Sequence, residues 1–157
     1  MTATTASRTL DRVRPLLRAS AAGCAAAVIA AVAVHGLARV AGDPLVVTVE
    51  GRGIQQVSTG AVIAVTVAAA VAATAVALFA RLAPRPRVLF LVVSFVALVL
   101  SLLPPAAAAS GATTWWLDGM HIAVFAGLVP AMARALPDRP GSAVQHPART
   151  AGPADAT

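Results

Sequence analysis

Four stretches of this chain are free, or nearly free, of charge over the length a helix needs to cross a bilayer. That constrains its fold more than any other feature. A hydrocarbon core about 30 Å thick takes roughly 20 apolar residues at about 1.5 Å each. Residues 19–38 form such a run between Arg18 and Arg39, residues 59–80 form a second closed by Arg81, and residues 88–109 form a third opened by Arg87. The fourth is weaker. Residues 119–133 carry no charge but make only 15 positions, and a spanning length, 115–134, takes in Asp118. Trp115 and Trp116 then fall where an interfacial aromatic belt is expected. Composition agrees: 59% of the 157 residues are hydrophobic and 11% charged, where globular proteins average about a quarter charged. Such a chain is neither disordered nor a polar nucleic-acid-binding module, and one cysteine, Cys24, excludes a disulfide scaffold.

The direction of the spans follows from arginine. All 12 basic residues are Arg. Arg8, Arg12, Arg14 and Arg18 precede the first span; Arg81, Arg85 and Arg87 link the second to the third; Arg134, Arg139 and Arg149 follow the fourth. The alternate side holds only Arg39 and Arg52. Ten against two is a positive-inside signal that places both termini in the cytoplasm of a bacterial plasma membrane. The net charge of +6 is thus a topology signal, helped by anionic headgroups, and needs no nucleic-acid partner. The first span is expected to stay uncleaved: it exceeds the 7–15-residue core of a signal peptide, and most of it follows Cys24, the residue that a lipoprotein leader would modify.

Residues 1–10 and 137–157 are rich in Ala, Thr, Pro, Gly and Arg and read as disordered cytoplasmic tails. Between the first tail and the first span, Leu10, Val13, Leu16 and Leu17 recur at helical spacing, predicting a short interfacial helix bent by Pro15. On the outer side, residues 45–49 are β-prone, Gly51-Arg52-Gly53 offers a turn, and residues 54–57 return; a small hairpin or an ordered loop fits there. The expected fold is an all-α membrane protein: an antiparallel four-helix transmembrane bundle over residues 11–136, with this loop or hairpin between helices 1 and 2. Small residues at every fourth position, Gly23, Ala27 and Ala31 in the first span and Gly60, Ala64, Ala68 and Ala72 in the second, make smooth stripes that serve as packing surfaces in lipid. The second stripe suits packing within the bundle or, as the alternative, a homo-oligomer. The third span is Phe-, Leu- and Val-rich, which suits a lipid-facing role.

Ionisable groups at membrane depth are functional candidates by default. His35 lies one turn from the outer end of span one; Asp118 and His121, at i and i+3, share a face of span four. With Asp43 and Glu50 from the outer loop they make a candidate cluster beneath the outer surface. One reading is structural, His121 being bonded to Asp118 or a neighbouring helix and His35 interfacial. A second is a divalent metal held by His35, Asp118, His121 and Glu50, since imidazole and carboxylate suit such ions, although no tight His-x-x-x-His spacing supports it. A third is haem ligated by His35 and His121; a fourth is proton relay in transport. No cofactor is required by any of these residues. No Gly-x-Ser-x-Gly, phosphate loop, Cys-x-x-Cys or zincin motif occurs, and Ser94 and Ser101 are expected to bond their own helix carbonyls. Nothing favours an enzyme.

An Arg-rich start with an Ala/Val span, a β-prone outer loop, an inner Arg-Pro link, a third helix ending Ser101-Leu-Leu-Pro-Pro105, and a fourth span running from Gly119-Met120-His121 to Arg134 together resemble a family of uncharacterised four-span membrane proteins of high-GC bacteria, a domain of unknown function. The likeness covers residues 8–136. It implies architecture and location, with no assigned activity. Small multidrug exporters also have four spans but place a Glu in the first helix, which is missing here. The expected function is that of a non-enzymatic structural, accessory or self-associating subunit; the alternative is a small-solute or ion transporter or channel acting as an oligomer, and after that a metal- or haem-binding redox protein.

Overall fold

A computed structural model of the chain describes residues 3–109 and 111–137. In chain order its elements are α1 (Ala3–Val40), β1 (Val46–Val49), β2 (Gly53–Gln56), α2 (Thr59–Ala80), α3 (Pro86–Ser101), α4 (Leu103–Ala108) and α5 (Ala112–Arg134). Among the described residues four stretches are long and apolar enough to cross a membrane: Val13–Val40, Thr59–Ala80, Pro86–Pro105 and Ala112–Arg134. The large apolar side chains left uncovered on them, such as Val65, Val71, Phe79, Val92, Phe95 and Leu100, are far more than a soluble protein exposes to water. The chain is a multi-pass membrane protein built as four spanning helices with a hairpin between the first two.

One boundary differs from the sequence reading. α1 begins at Ala3 and continues without a break through Pro15, so the segment read as a tail up to residue 10 and the separate interfacial helix merge with the first span. Proline removes one backbone donor and fixes a φ that a helix already uses, and the Ala, Leu and Arg around it are strong helix formers. At the other end of the chain, the tail read over 137–157 lies outside the described residues apart from Pro137. The third span also divides: α3 stops at Ser101, Leu102 turns, and Leu103 opens α4 with Pro104 inside its first turn. Pro104-Pro105 ends one helix and starts another, because proline lacks only an N–H that a first helical turn would leave unpaired.

The hairpin has a local cause for each bend. β1 and β2 pair antiparallel, Val46 opposite Gln56 and Val49 opposite Gly53. Gly51 takes the positive φ of 74° that the connecting turn needs, and Arg52 N donates to Val49 O at 3.0 Å. Leu45, just ahead of β1, also has a positive φ, 50°, a region that disfavours an L residue by about 1–2 kcal/mol. It is held there because its N–H donates to Asp43 Oδ1 at 2.8 Å, its carbonyl accepts from Val57 N at 2.9 Å, and its side chain is fully buried. Asp43 Oδ1 also accepts from Thr113 Oγ1 at 2.7 Å, which ties the hairpin's base to the start of α5. Ser58 then caps α2, its hydroxyl accepting from Ala61 N at 3.1 Å.

α1 is the hub, packing most extensively on α5 and then on α2, while α3 lies more loosely against α2 and α5. Backbones meet closely along α1 and α5. A Cβ on Gly127 would stand 2.8 Å from Ala27 Cα, one on Gly23 3.2 Å from Leu128 O, and one on Gly119 3.7 Å from Val34 Cγ1. The first-span stripe is therefore a packing surface, with Gly23, Ala27 and Ala31 all buried. A hydroxyl pair, Ser20 Oγ and Thr74 Oγ1 at 2.6 Å, joins α1 to α2. The second-span stripe is different: Gly60, Ala64, Ala68 and Ala72 are all exposed. The face that α2 turns inward holds Val62, Thr66, Ala70, Ala77 and Ala80. Residue 62 lies about 200° around the helix from residue 60 at 100° per residue, so the smooth stripe starts on the side away from the bundle.

Candidate functional site

The same glycine contacts fix how deep each polar group lies. Gly119 facing Val34 and Gly127 facing Ala27 set an antiparallel register in which His35 on α1 and Asp118 on α5 come to one level. His35 is buried, 4% exposed, and its Nδ1 has no hydrogen-bond partner; the same holds for the buried Asp118 Oδ1. His35 is therefore a bundle residue rather than an interfacial one. An orphaned buried polar atom costs about 1–3 kcal/mol, and bulk lipid offers no compensation.

His121 bonds its own helix rather than Asp118: its Nδ1 lies 2.8 Å from Leu117 O. A carbonyl can only accept, so Nδ1 carries the proton and, in the neutral ring, Nε2 is left as an acceptor. Glu50 is exposed in the turn at the hairpin tip, and Asp43 is engaged by Leu45 and Thr113. Among the described residues, no three His, Cys, Asp or Glu side chains gather as a metal-ligand set. The structure thus brings His35 and Asp118 to one depth, bonds His121 to its own helix at Leu117 O, and holds Glu50 and Asp43 in the hairpin region.

What the looser seating of α3 leaves behind is a groove of about 670 Å³ between α2, α3–α4 and α5, roofed by Val47, Val49 and Val57 of the hairpin region. That volume is within the usual range for ligand pockets, about 300–1,000 Å³. Among the described residues its wall contains no charged side chain, and the polar ones in it are Thr66, Ser94, Ser101 and His121. Thr66 Oγ1 donates to Val62 O at 2.8 Å, and Ser101 Oγ donates to Leu98 O at 2.7 Å, as helical hydroxyls in lipid do. Thr66 escapes a reading of the sequence for ionisable groups. Its signal is being, with Thr74, one of two hydroxyls inside an otherwise Ala/Val-rich helix. The Asp43–Thr113 bond, spanning 70 positions, leaves no local signal at all.

A family model described as "Family of unknown function (DUF6069)" matches residues 11–138. No curated protein and no solved structure matches the chain.

Proposed function

The chain belongs to this family of unknown function, and from its own residues we propose that it is a non-enzymatic accessory subunit of the bacterial plasma membrane that self-associates through α2. The exposed stripe Gly60, Ala64, Ala68 and Ala72 carries this reading. Between helices in lipid there is little hydrophobic drive, and close backbone approach at small residues supplies the contact. A Cβ on Gly60 would meet only Ser58 Oγ, at 3.9 Å, so this end of the stripe is not needed for the monomer's own packing. Steps of four residues drift by about 40° each, which carries Ala72 round to the rim of the groove and leaves Gly60, Ala64 and Ala68 as the contact. Energy transfer between labelled copies in vesicles tests it. Gly60→Leu with Ala68→Leu is expected to weaken association at least tenfold at unchanged helicity; undiminished association overturns the reading.

The hydroxyls of Thr66 and Ser101 donate to their own helices, and His121 Nδ1 to Leu117 O. Orientation with both termini in the cytoplasm rests on the ten-to-two arginine bias. With Cys24 removed, a cysteine at Gln55 should take impermeant label from outside and one at Ser142 should not; the opposite pattern refutes it.

A second reading, an oligomeric transporter of a small solute or ion, draws on the orphaned atoms of His35 and Asp118 at one depth. It requires that Asp118→Asn abolish uptake in cells that depend on the protein, and an unchanged phenotype removes it.

A further inference from the structure

We propose that the groove between α2, α3–α4 and α5 is a binding site for an uncharged lipid alcohol or phenol, seated with its chain along the Ala/Val wall and its O–H donated to His121 Nε2. The apolar body of the ligand follows from the lining, which is hydrocarbon apart from three hydroxyls and one imidazole. Its lack of charge follows from the wall's lack of charge: a phosphate, carboxylate or ammonium would lose its hydration there with no counter-ion to replace it.

Its donor head follows from the direction of the hydrogen bonds. Thr66 and Ser101 have each committed their single hydroxyl proton to a backbone carbonyl, and His121 has committed Nδ1–H to Leu117 O. What these groups still offer is lone pairs: two hydroxyl oxygens and, in the neutral ring, Nε2. A pure hydrocarbon leaves all of them unmet, and an ether or ester, itself only an acceptor, does the same for these three and could meet only the hydroxyl of Ser94, also in the lining.

Depth also agrees. Val62 and Leu117 belong to one buried cluster at the hairpin end of the bundle, and Thr66 and His121 lie one helical turn further along their respective helices. Ser94 lies about 10 Å from the hairpin end of α3, seven residues at about 1.5 Å. His121 lies about 9 Å beyond Trp115 on α5 by the same rise. That is deeper than a phospholipid headgroup sits and within reach of a small hydroxyl head drawn down among the helices. Phospholipid chains from the surrounding bilayer are the competitors, and the site distinguishes its ligand from them by one hydrogen bond.

The test uses the full chain in phosphatidylcholine vesicles, photolabelled with a hexadecanol that carries a diazirine in its chain and mapped by mass spectrometry. Label is expected on groove residues such as Ala69, Ala97 and Val124. Unlabelled 1-hexadecanol should compete about ten times better than its methyl ether or palmitate, a ratio equal to about 1.4 kcal/mol. In His121→Phe, alcohol and ether should become equal competitors while label stays in the groove; in Ala97→Trp, which fills the groove, groove labelling should be lost. The comparison of alcohol with ether on the unaltered protein needs no variant. Equal competition by the two, preference for palmitate, or label spread evenly over the lipid-facing surface overturns the proposal.

Discussion

Replacing Gly127 by alanine places a methyl carbon 2.8 Å from Ala27 Cα and N and 3.2 Å from Ala26 C. Carbon pairs rest at about 3.5–4.0 Å, so α1 and α5 must separate locally by roughly 0.7–1 Å. A gap of that size forfeits about a quarter to a half of each contact's attraction along the stretch, and overpacking of this kind costs about 1–3 kcal/mol. The opposing atoms are backbone and cannot rotate away, which puts the cost in the upper half of that range. Gly119→Ala is the matched control: same helix, same partner, but its methyl would meet only Val34 Cγ1, at 3.7 Å, an ordinary contact. Both changes gain the same helix propensity, about 0.8–1.0 kcal/mol. Their difference therefore isolates the close approach, and Gly127→Ala should be about 2–3 kcal/mol less stable than Gly119→Ala. Reversible unfolding in bicelles, followed by helicity and by steric trapping of a doubly tagged chain, measures it. If the two variants fall within about 0.5 kcal/mol of each other, or Gly119→Ala is the weaker, α1 and α5 do not cross where Gly127 meets Ala27.

Asp43→Ala removes the acceptor shared by Leu45 N and Thr113 Oγ1 and with it the restraint on the Leu45 backbone. A loss of about 2 kcal/mol, near the middle of the range for stranding buried donors, should appear as faster proteolysis and hydrogen exchange in β1–β2, while Asp43→Asn, which keeps one oxygen, should lose less. A double-mutant cycle on Ser20→Ala and Thr74→Ala should give a coupling near the membrane average of about 0.6 kcal/mol; additivity would mean that the 2.6 Å contact does not tie the helices. Phe90 is fully buried and Phe95 is 60% exposed. Phe90→Ala should therefore destabilise the chain in bicelles by about 2 kcal/mol or more through the cavity it leaves, and Phe95→Ala, facing lipid, by under about 0.5 kcal/mol, since transfer between lipid and a helix surface releases no water.

The hairpin, the spans and the first-span packing stripe were legible because each rests on a local pattern. The run of residues 59–80 between Ser58 and Arg81 gave helix α2 its limits to the residue, and Gly51-Arg52-Gly53 marked a turn that the backbone makes with two positive φ angles. The fusion of residues 3–18 with the first span was not legible, because Pro15 reads as a break whether or not its neighbours carry the helix through. The candidate site was less legible still. His35 and Asp118 could be placed at one depth by counting residues, but that His35 is buried depends on which faces of α1 and α5 meet.

By itself the sequence determined what each segment is. Twenty apolar residues between arginines must be helical and must find lipid or other helices, because the backbone cannot leave its polar groups unpaired there; a glycine pair between two β-prone runs must turn. Only the tertiary structure decided which side of each helix turns inward. In Ala/Val-rich spans the hydrophobic pattern is nearly the same all round, so nothing in α2 declares which of its stripes turns inward. The choice falls to packing instead. Gly23 and Gly127 let α1 and α5 close upon each other, and Ser20 and Thr74 draw α2 to α1. Once α2 is held by its Val62–Thr66–Ala70 face, its small-residue stripe is left to the lipid. α3, with bulky side chains and no such close approach, stands off far enough to leave a groove with an imidazole in its wall.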